Sequence, residues 1–129
     1  MLIQDIAAYL EVNGVGAVGA DIFFGHLPDQ PECAIALYPT GGFSQDLNLD
    51  DVRLTAQVLV RGRSYQEAYE KVWRTFNLLD RPADRLIVAN GRKMVVKAMQ
   101  PPFFMNRDEA NRFLFAFNVM VDTRRDQGE

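Results

Sequence analysis

Cysteine and histidine are almost absent from this chain: Cys33 and His26 are the only examples in 129 residues. One cysteine excludes an internal disulfide. Its place in the apolar run Cys33-Ala34-Ile35-Ala36-Leu37 marks it as a small buried hydrophobe rather than a reactive thiol. So few histidines and cysteines leave no ligand set for a zinc-type centre. A membrane span is missing too, because no uninterrupted apolar run reaches the length of about 20 residues that a helix needs to cross a bilayer. The N-terminus lacks the basic start and apolar core of a signal peptide, so residence in, or assembly from, a cytoplasm is expected and no membrane partner is. A basic excess is absent as well. The formal net charge is -3, which gives no general reason to expect nucleic-acid binding; Arg61/Arg63 and Arg124/Arg125 are the local basic pairs. There is no internal repeat and no low-complexity segment.

What the chain does have is apolar content, 48% of residues, enough for one core, and its length points to a single domain over 1–129. Leu2, Ile3, Ile6, Ala7, Tyr9 and Leu10 recur at helical spacing, predicting an amphipathic helix over Leu2–Val12 that stops at Asn13-Gly14. Ala20–Phe24 and Cys33–Tyr38 read as strands, joined by a segment with two prolines. Val52, Leu54, Ala56, Val58 and Val60 alternate with polar residues, predicting a half-buried strand over Val52–Val60. Ser64 and Glu67 form a capping box. The helix behind them carries Tyr65, Ala68, Tyr69, Val72, Trp73, Phe76 and Leu79 on one stripe, with Trp73 as its core anchor. Asn90-Gly91 predicts a two-residue hairpin turn between Leu86–Ala89 and Lys93–Met99. Arg112–Thr123 is the last strand, and 124–129 a frayed tail. The expected fold class is α+β: a largely antiparallel mixed sheet with two α-helices packed on one face and a long β-β arm.

The chemistry-bearing motifs are weak. Gly14-Val15-Gly16-Ala17-Val18-Gly19 matches the letters of a dinucleotide loop. A phosphate cradle needs a strand before it and a helix after it, and here the order is reversed. His26 lies in a proline-flanked turn near Asp29, with no nucleophile implied beside it. Asp46, Asp50 and Asp51 lack the spacing and the closing glutamate of a calcium loop. Asp108 and Glu109 sit in a charged turn, Met105–Arg112, which reads as solvated or as an interface ion pair. No catalytic, cofactor-binding or metal residue is assigned, and no enzyme activity is expected. Pro101-Pro102-Phe103-Phe104 is either a cover for the core or a contact patch.

One segment stands apart. Residues Pro39–Asp51 form a connection of roughly a dozen residues between strands, long for a compact domain. Phe43, Leu47 and Leu49 need cover, while Asp46, Asp50 and Asp51 make it acidic. An arm of that kind is built to lie on another surface, with Gly41-Gly42 as its hinge.

Several segments, in order, resemble a known family. They are Asp5–Leu10, Ile22-Phe23-Phe24-Gly25-His26-Leu27-Pro28-Asp29, Ala34–Gly42, Gln57-Val58-Leu59-Val60-Arg61-Gly62 before Tyr65–Tyr69, Met99-Gln100-Pro101-Pro102, and Asp108-Glu109-Ala110-Asn111-Arg112 leading into Phe117-Asn118-Val119. Together they resemble the phage minor capsid proteins related to the tail-terminator and tail-completion proteins of long-tailed bacteriophages. The resemblance implies a structural virion protein, assembled in the bacterial host cytoplasm. Such proteins form a hexameric ring on the end of the tail tube, stop its polymerisation and join it to the head connector. The implied partners are further copies of the chain, the tail-tube protein and the head–tail connector, with DNA only passing through the pore. A ring needs two different complementary patches. Phe43, Asp46, Leu47, Leu49, Asp50 and Asp51 on the arm, Arg61, Arg63 and Arg112 as basic groups, and Phe103 and Phe104 are the candidates. A neck or head-completion protein of related fold and a small-molecule-binding regulatory domain are the alternatives.

Overall fold

The computed structural model describes residues 1–42, 51–80 and 86–124. Among them the order is α1 (Leu2–Val12), β1 (Ile22–Phe24), β2 (Ala34–Gly42), β3 (Asp51–Gly62), α2 (Tyr65–Leu79), β4 (Ile87–Ala89), β5 (Arg92–Ala98), β6 (Phe103–Arg107) and β7 (Phe113–Arg124). The strands form one sheet in the order β1-β2-β3-β7-β5-β4, with β6 beside the first half of β7. Every pairing is antiparallel except β1 with β2, which is parallel. The fold is α+β, with a mixed, largely antiparallel sheet.

The spine is β3 against β7, paired from Asp51↔Arg124 to Gly62↔Phe113. Their alternation puts Ala56, Val58 and Val60 on the same face as Phe115, Phe117, Val119 and Val121, all buried. Both helices cover that face. Leu2, Ile3, Ile6, Ala7 and Leu10 from α1, and Ala68, Val72 and Leu79 from α2, join those strand residues in one hydrophobic cluster. Burying one such side chain contributes about 1.5–3 kcal/mol.

Local chemistry sets the element ends. Helix α1 stops in a Schellman motif: the Val15 amide donates to the Leu10 carbonyl and that of Gly14 to Glu11, with Gly14 at φ +77. Val15 and Leu10 are both buried, which supplies the apolar contact that accompanies this motif. The glycine-rich segment is therefore a helix stop, and no helix follows it to hold a phosphate. At α2 the Ser64 hydroxyl accepts from the Glu67 amide at 3.1 Å. The return half of the capping box is replaced: the Glu67 carboxylate accepts from the Cys33 thiol and pairs with Arg63. Gly62 is required by close approach, since a Cβ there would lie 2.7 Å from the Ala68 amide nitrogen. Asn90 and Gly91, at φ 52 and 77, make the expected turn of the β4–β5 hairpin.

Four expectations need correction. The arm is shorter than the sequence indicated, because Pro39–Gly42 belongs to β2 and Asp51 opens β3. Gly41-Gly42 is accordingly no free hinge. It ends β2 beyond a register shift, and a Cβ on Gly42 would lie 2.4 Å from the Arg53 carbonyl oxygen. Phe103–Arg107, read as a patch running into a charged turn, is a strand; its apolar–polar alternation is broken by a bulge between Phe104 and Asn106. Arg124 is the last residue of β7 rather than the start of a frayed tail. Finally, α2 faces the core with Ala68, Val72, Thr75 and Leu79. Its aromatic residues flank that line, and Trp73 is only partly buried.

Candidate assembly interface

The residues singled out from sequence fall into three places. The first is the β2–β3 hairpin. Phe43, Asp46, Leu47, Leu49 and Asp50 lie outside the described residues. At its root Asp51 is exposed and pairs in register with Arg124. One step inward the Arg53 guanidinium donates to the Asp122 carboxylate at 2.6 Å, and the Thr40 and Thr55 hydroxyls meet at 2.7 Å. The Arg53–Asp122 pair ties the stem to β7, and the Thr40–Thr55 pair ties its two strands to each other. Surface ion pairs of this kind are worth about 0–1 kcal/mol, so the stem depends chiefly on its ladder.

The second place revises an expectation. Arg61 and Arg112 were candidates for a basic patch open to a neighbour, yet they are 3% and 7% exposed. Arg61, on the sheet face away from the helices, donates to the carbonyls of Pro28, Asp29, Pro31 and Glu32 at 2.6 to 3.2 Å. Arg112 binds the Asp29 carbonyl and its carboxylate, the latter at 2.8 Å, and the Asp108 carboxylate at 2.8 Å. The pair clamps the 28–32 loop onto the sheet. A lone arginine in a strand looks like surface in a sequence; the carbonyls that bury it come from a distant loop. Arg63 alone of the three basic candidates is exposed, in an ion pair with Glu67 at 3.4 Å.

The clamp also removes two catalytic readings. Asp29 is engaged by Arg112, and exposed His26 has its ring centroid 5.9 Å from that of Phe23, so no His–Asp pair is assembled. Asp108 closes the turn before β7 by accepting from the Ala110 and Arg112 amides. Two grooves on the described surface are lined by groups already paired with each other, Asp5 with Arg92 in one and Asp29 and Asp108 with Arg112 in the other.

These pairings predict an acid limb to the stability curve. For Asp108 partial burial works to raise the carboxyl pKa, and the hydrogen bonds and charge of Arg112 outweigh it, leaving it below the ordinary value. For Glu67 the Cys33 thiol and then Arg63 also lower it. Carboxyls depressed in the folded state stabilise it above their unfolded pKa, about 4, and that contribution is lost as pH falls through the folded value. The urea midpoint is therefore expected to hold from about pH 8 to 5 and to drop below about 4. Asp108→Asn should flatten part of that drop; an unchanged acid limb in the variant would refute the assignment.

The third place is apolar and exposed. On β6, Phe103 pairs with Ala116 and Phe104 with Phe115, so the two rings sit on opposite faces of the sheet. Phe104 joins Tyr65, Phe113 and Phe115, with centroid separations of 5.8, 6.0 and 5.1 Å from Tyr65 to these rings. Tyr69, Trp73 and Phe76 continue the chain of contacts along α2, and the Arg107 guanidinium covers the Phe113 ring at 4.7 Å. Tyr65, Tyr69 and Phe104 remain 51%, 45% and 43% exposed. Exposed apolar surface of this sort is the kind that docking sites use. Helical spacing puts Tyr65 and Tyr69 on one stripe with Ala68 and Val72, but only the latter pair is buried. The available signal was the steep i, i+4 row Tyr65-Tyr69-Trp73, which drifts off the buried line of Ala68, Val72 and Leu79.

The described surface thus carries an exposed aromatic patch on α2 and β6 and a paired arginine clamp behind the sheet. A family model described as bacteriophage tail terminator protein matches residues 9–123. The chain belongs to the tail terminator family. That family is a structural kind of protein, so this tail terminator is a component of a phage virion that meets other tail or head proteins. A solved structure covers 97% of the tail terminator chain and 92% of its own, at 12% identity and a TM-score of 0.56, which shows a shared fold. No curated protein matches. No helix among the described residues is long and apolar enough to cross a membrane.

Proposed function

We propose that the chain assembles in the host cytoplasm into a ring, hexameric as in the family it resembles, on the end of the phage tail tube. There it stops tube polymerisation and presents a docking face to the head connector, and DNA passes through the pore. The observation that carries this reading is the tail-terminator match over residues 9–123. The aromatic surface of α2 and β6, on one side of the chain, and the β2–β3 hairpin, on another, support it. A ring requires two unlike surfaces per copy. Of the interface candidates, Phe103, Phe104 and Arg63 are exposed and Asp51 stands at the hairpin root; the proposal retains these. It drops Arg61 and Arg112, whose donors are committed within the chain.

The test is polymerisation of the cognate tube protein with and without this chain. Added chain is expected to cap tube ends, leaving short tubes of stable length with a ring of added density at one end by electron microscopy. Tubes that grow at the same rate and to the same lengths in its presence would sink the proposal.

A further inference from the structure

We propose that the outer edge of β6 pairs with the outer half of β2, Tyr38–Gly42, of a second copy of this chain, so that one sheet runs on into the next. This rests on the reading that copies of the chain associate, and it names the backbone edges that meet.

Among the described residues β6 is paired only with β7, and all five of its residues are exposed. Phe103, Phe104 and Met105 are 38%, 43% and 44% exposed. An edge strand is normally protected by charge, proline or cover, because its free amides and carbonyls template pairing with another strand. Here three bulky apolar residues in a row stand on the open edge.

The complementary edge lies on the same chain but across the sheet. Among the described residues β1 pairs with Ile35, Ala36 and Leu37 of β2 and goes no further, so Tyr38–Gly42 has β3 on one side and no strand on the other; Pro39 gives that edge no amide, which leaves its carbonyl and the Thr40–Gly42 backbone for pairing. That segment ends in bare backbone: a Cβ on Gly41 would meet nothing within 4 Å. Aromatic rings laid across strand glycines shield backbone that would otherwise be wet, and lose their own exposure in doing so. The two edges are thus unlike and fit each other, bulky on one side and empty on the other. Strands β3 and β7 separate them, so one chain cannot join its own edges. A contact between unlike surfaces is head-to-tail, the kind that closes into a ring. Each edge also carries a bulge or register shift, between Phe104 and Asn106 and between Pro39 and Gly42. These irregularities limit the match to a few residues and disfavour indefinite edge-to-edge stacking.

The experiment is disulfide trapping in full-length protein with Cys33→Ala. Met105→Cys together with Thr40→Cys should give a ladder of covalent multimers under mild oxidation, while neither substitution alone links efficiently. Dimers from Met105→Cys alone would mean that the edge meets itself, and would overturn the pairing. Absence of links in the double variant, while the wild-type chain assembles by light scattering, would overturn the pairing and leave the ring standing. A wild-type chain that stays monomeric both alone and on tail tubes would overturn the ring and the pairing together. Independently, Phe103→Lys with Met105→Lys should weaken assembly about tenfold or more with an unchanged circular dichroism spectrum. Unweakened assembly of that folded variant would count against the pairing.

Discussion

Replacing Arg61 with methionine is expected to destabilise the fold by about 3–5 kcal/mol. Methionine fills much of the same volume, so the loss is polar. The Arg61 guanidinium serves four carbonyls of the 28–32 loop, and each buried acceptor left without a donor costs about 1–3 kcal/mol. Two effects reduce that sum. The buried charge is itself unfavourable: burial, then the nearby charge of Arg112, lower the Arg61 pKa. The freed loop can also lift and hydrate its carbonyls. Even so, the expected loss is a large share of the 5–15 kcal/mol that holds a domain together. Arg61→Lys keeps the charge but lacks the planar fork, so it should recover less than half of the difference. Urea denaturation reads both variants. An Arg61→Met protein within about 1 kcal/mol of the wild type would show that the clamp is ornamental.

Asp5→Ala is expected to cost a similar amount, about 3–5 kcal/mol, for a different reason. The Asp5 carboxylate accepts from Arg92 at 2.7 Å, with side chains 9% and 7% exposed, and from the Asn90 amide at 3.1 Å. This network pins α1 to the β4–β5 hairpin. Losing the carboxylate removes one counter-charge from a buried guanidinium, and weakening a buried pair from one side is the costly way to break it. The double variant Asp5→Leu with Arg92→Met removes the charge along with its partner and should regain most of the loss, because well-packed apolar replacements of buried pairs are often neutral or better. A double variant as unstable as Asp5→Ala would mean that the network acts through geometry rather than through the burial of charge. The two predictions are separable, since Arg61 and Asp5 lie on opposite faces of the sheet and share no partner.

Much of the architecture was legible because it is local. The spacing of Leu2, Ile6 and Leu10 places α1, and the alternation from Val52 to Val60 places β3. Asn90-Gly91 makes the β4–β5 turn and Ser64 caps α2. In each case the signal itself is a short-range spacing or turn pattern, whatever distant residues it later packs against. The misses share the opposite property. β6 escapes a reading from sequence because a bulge breaks its alternation and, among the described residues, it pairs only with the start of β7. The parallel pairing of β1 with β2 depends on a loop crossing over. Arg61 reads as an open basic group in the sequence because the four carbonyls that bury it come from a segment some thirty residues away. Tyr65 and Tyr69 share a stripe with Ala68 and Val72, and helical spacing cannot say which edge of a wide stripe meets the sheet.

By itself the sequence determined the class of the protein: apolar periodicities of both kinds, turn residues at the right places, almost no reactive side chains, and an order of segments that marks the tail-terminator family. Those features are short-range, and a chain carries them before it folds. Only the tertiary structure decided which charges are tools and which are ties. It turned Arg61 and Arg112 inward as a clamp and shortened the arm by extending β2 and β3 into it. It also brought exposed Tyr65 and Phe104 together over half-buried Phe113 and buried Phe115. Burial and edge exposure are properties of which strands become neighbours, and strand order is a long-range outcome that no local pattern encodes.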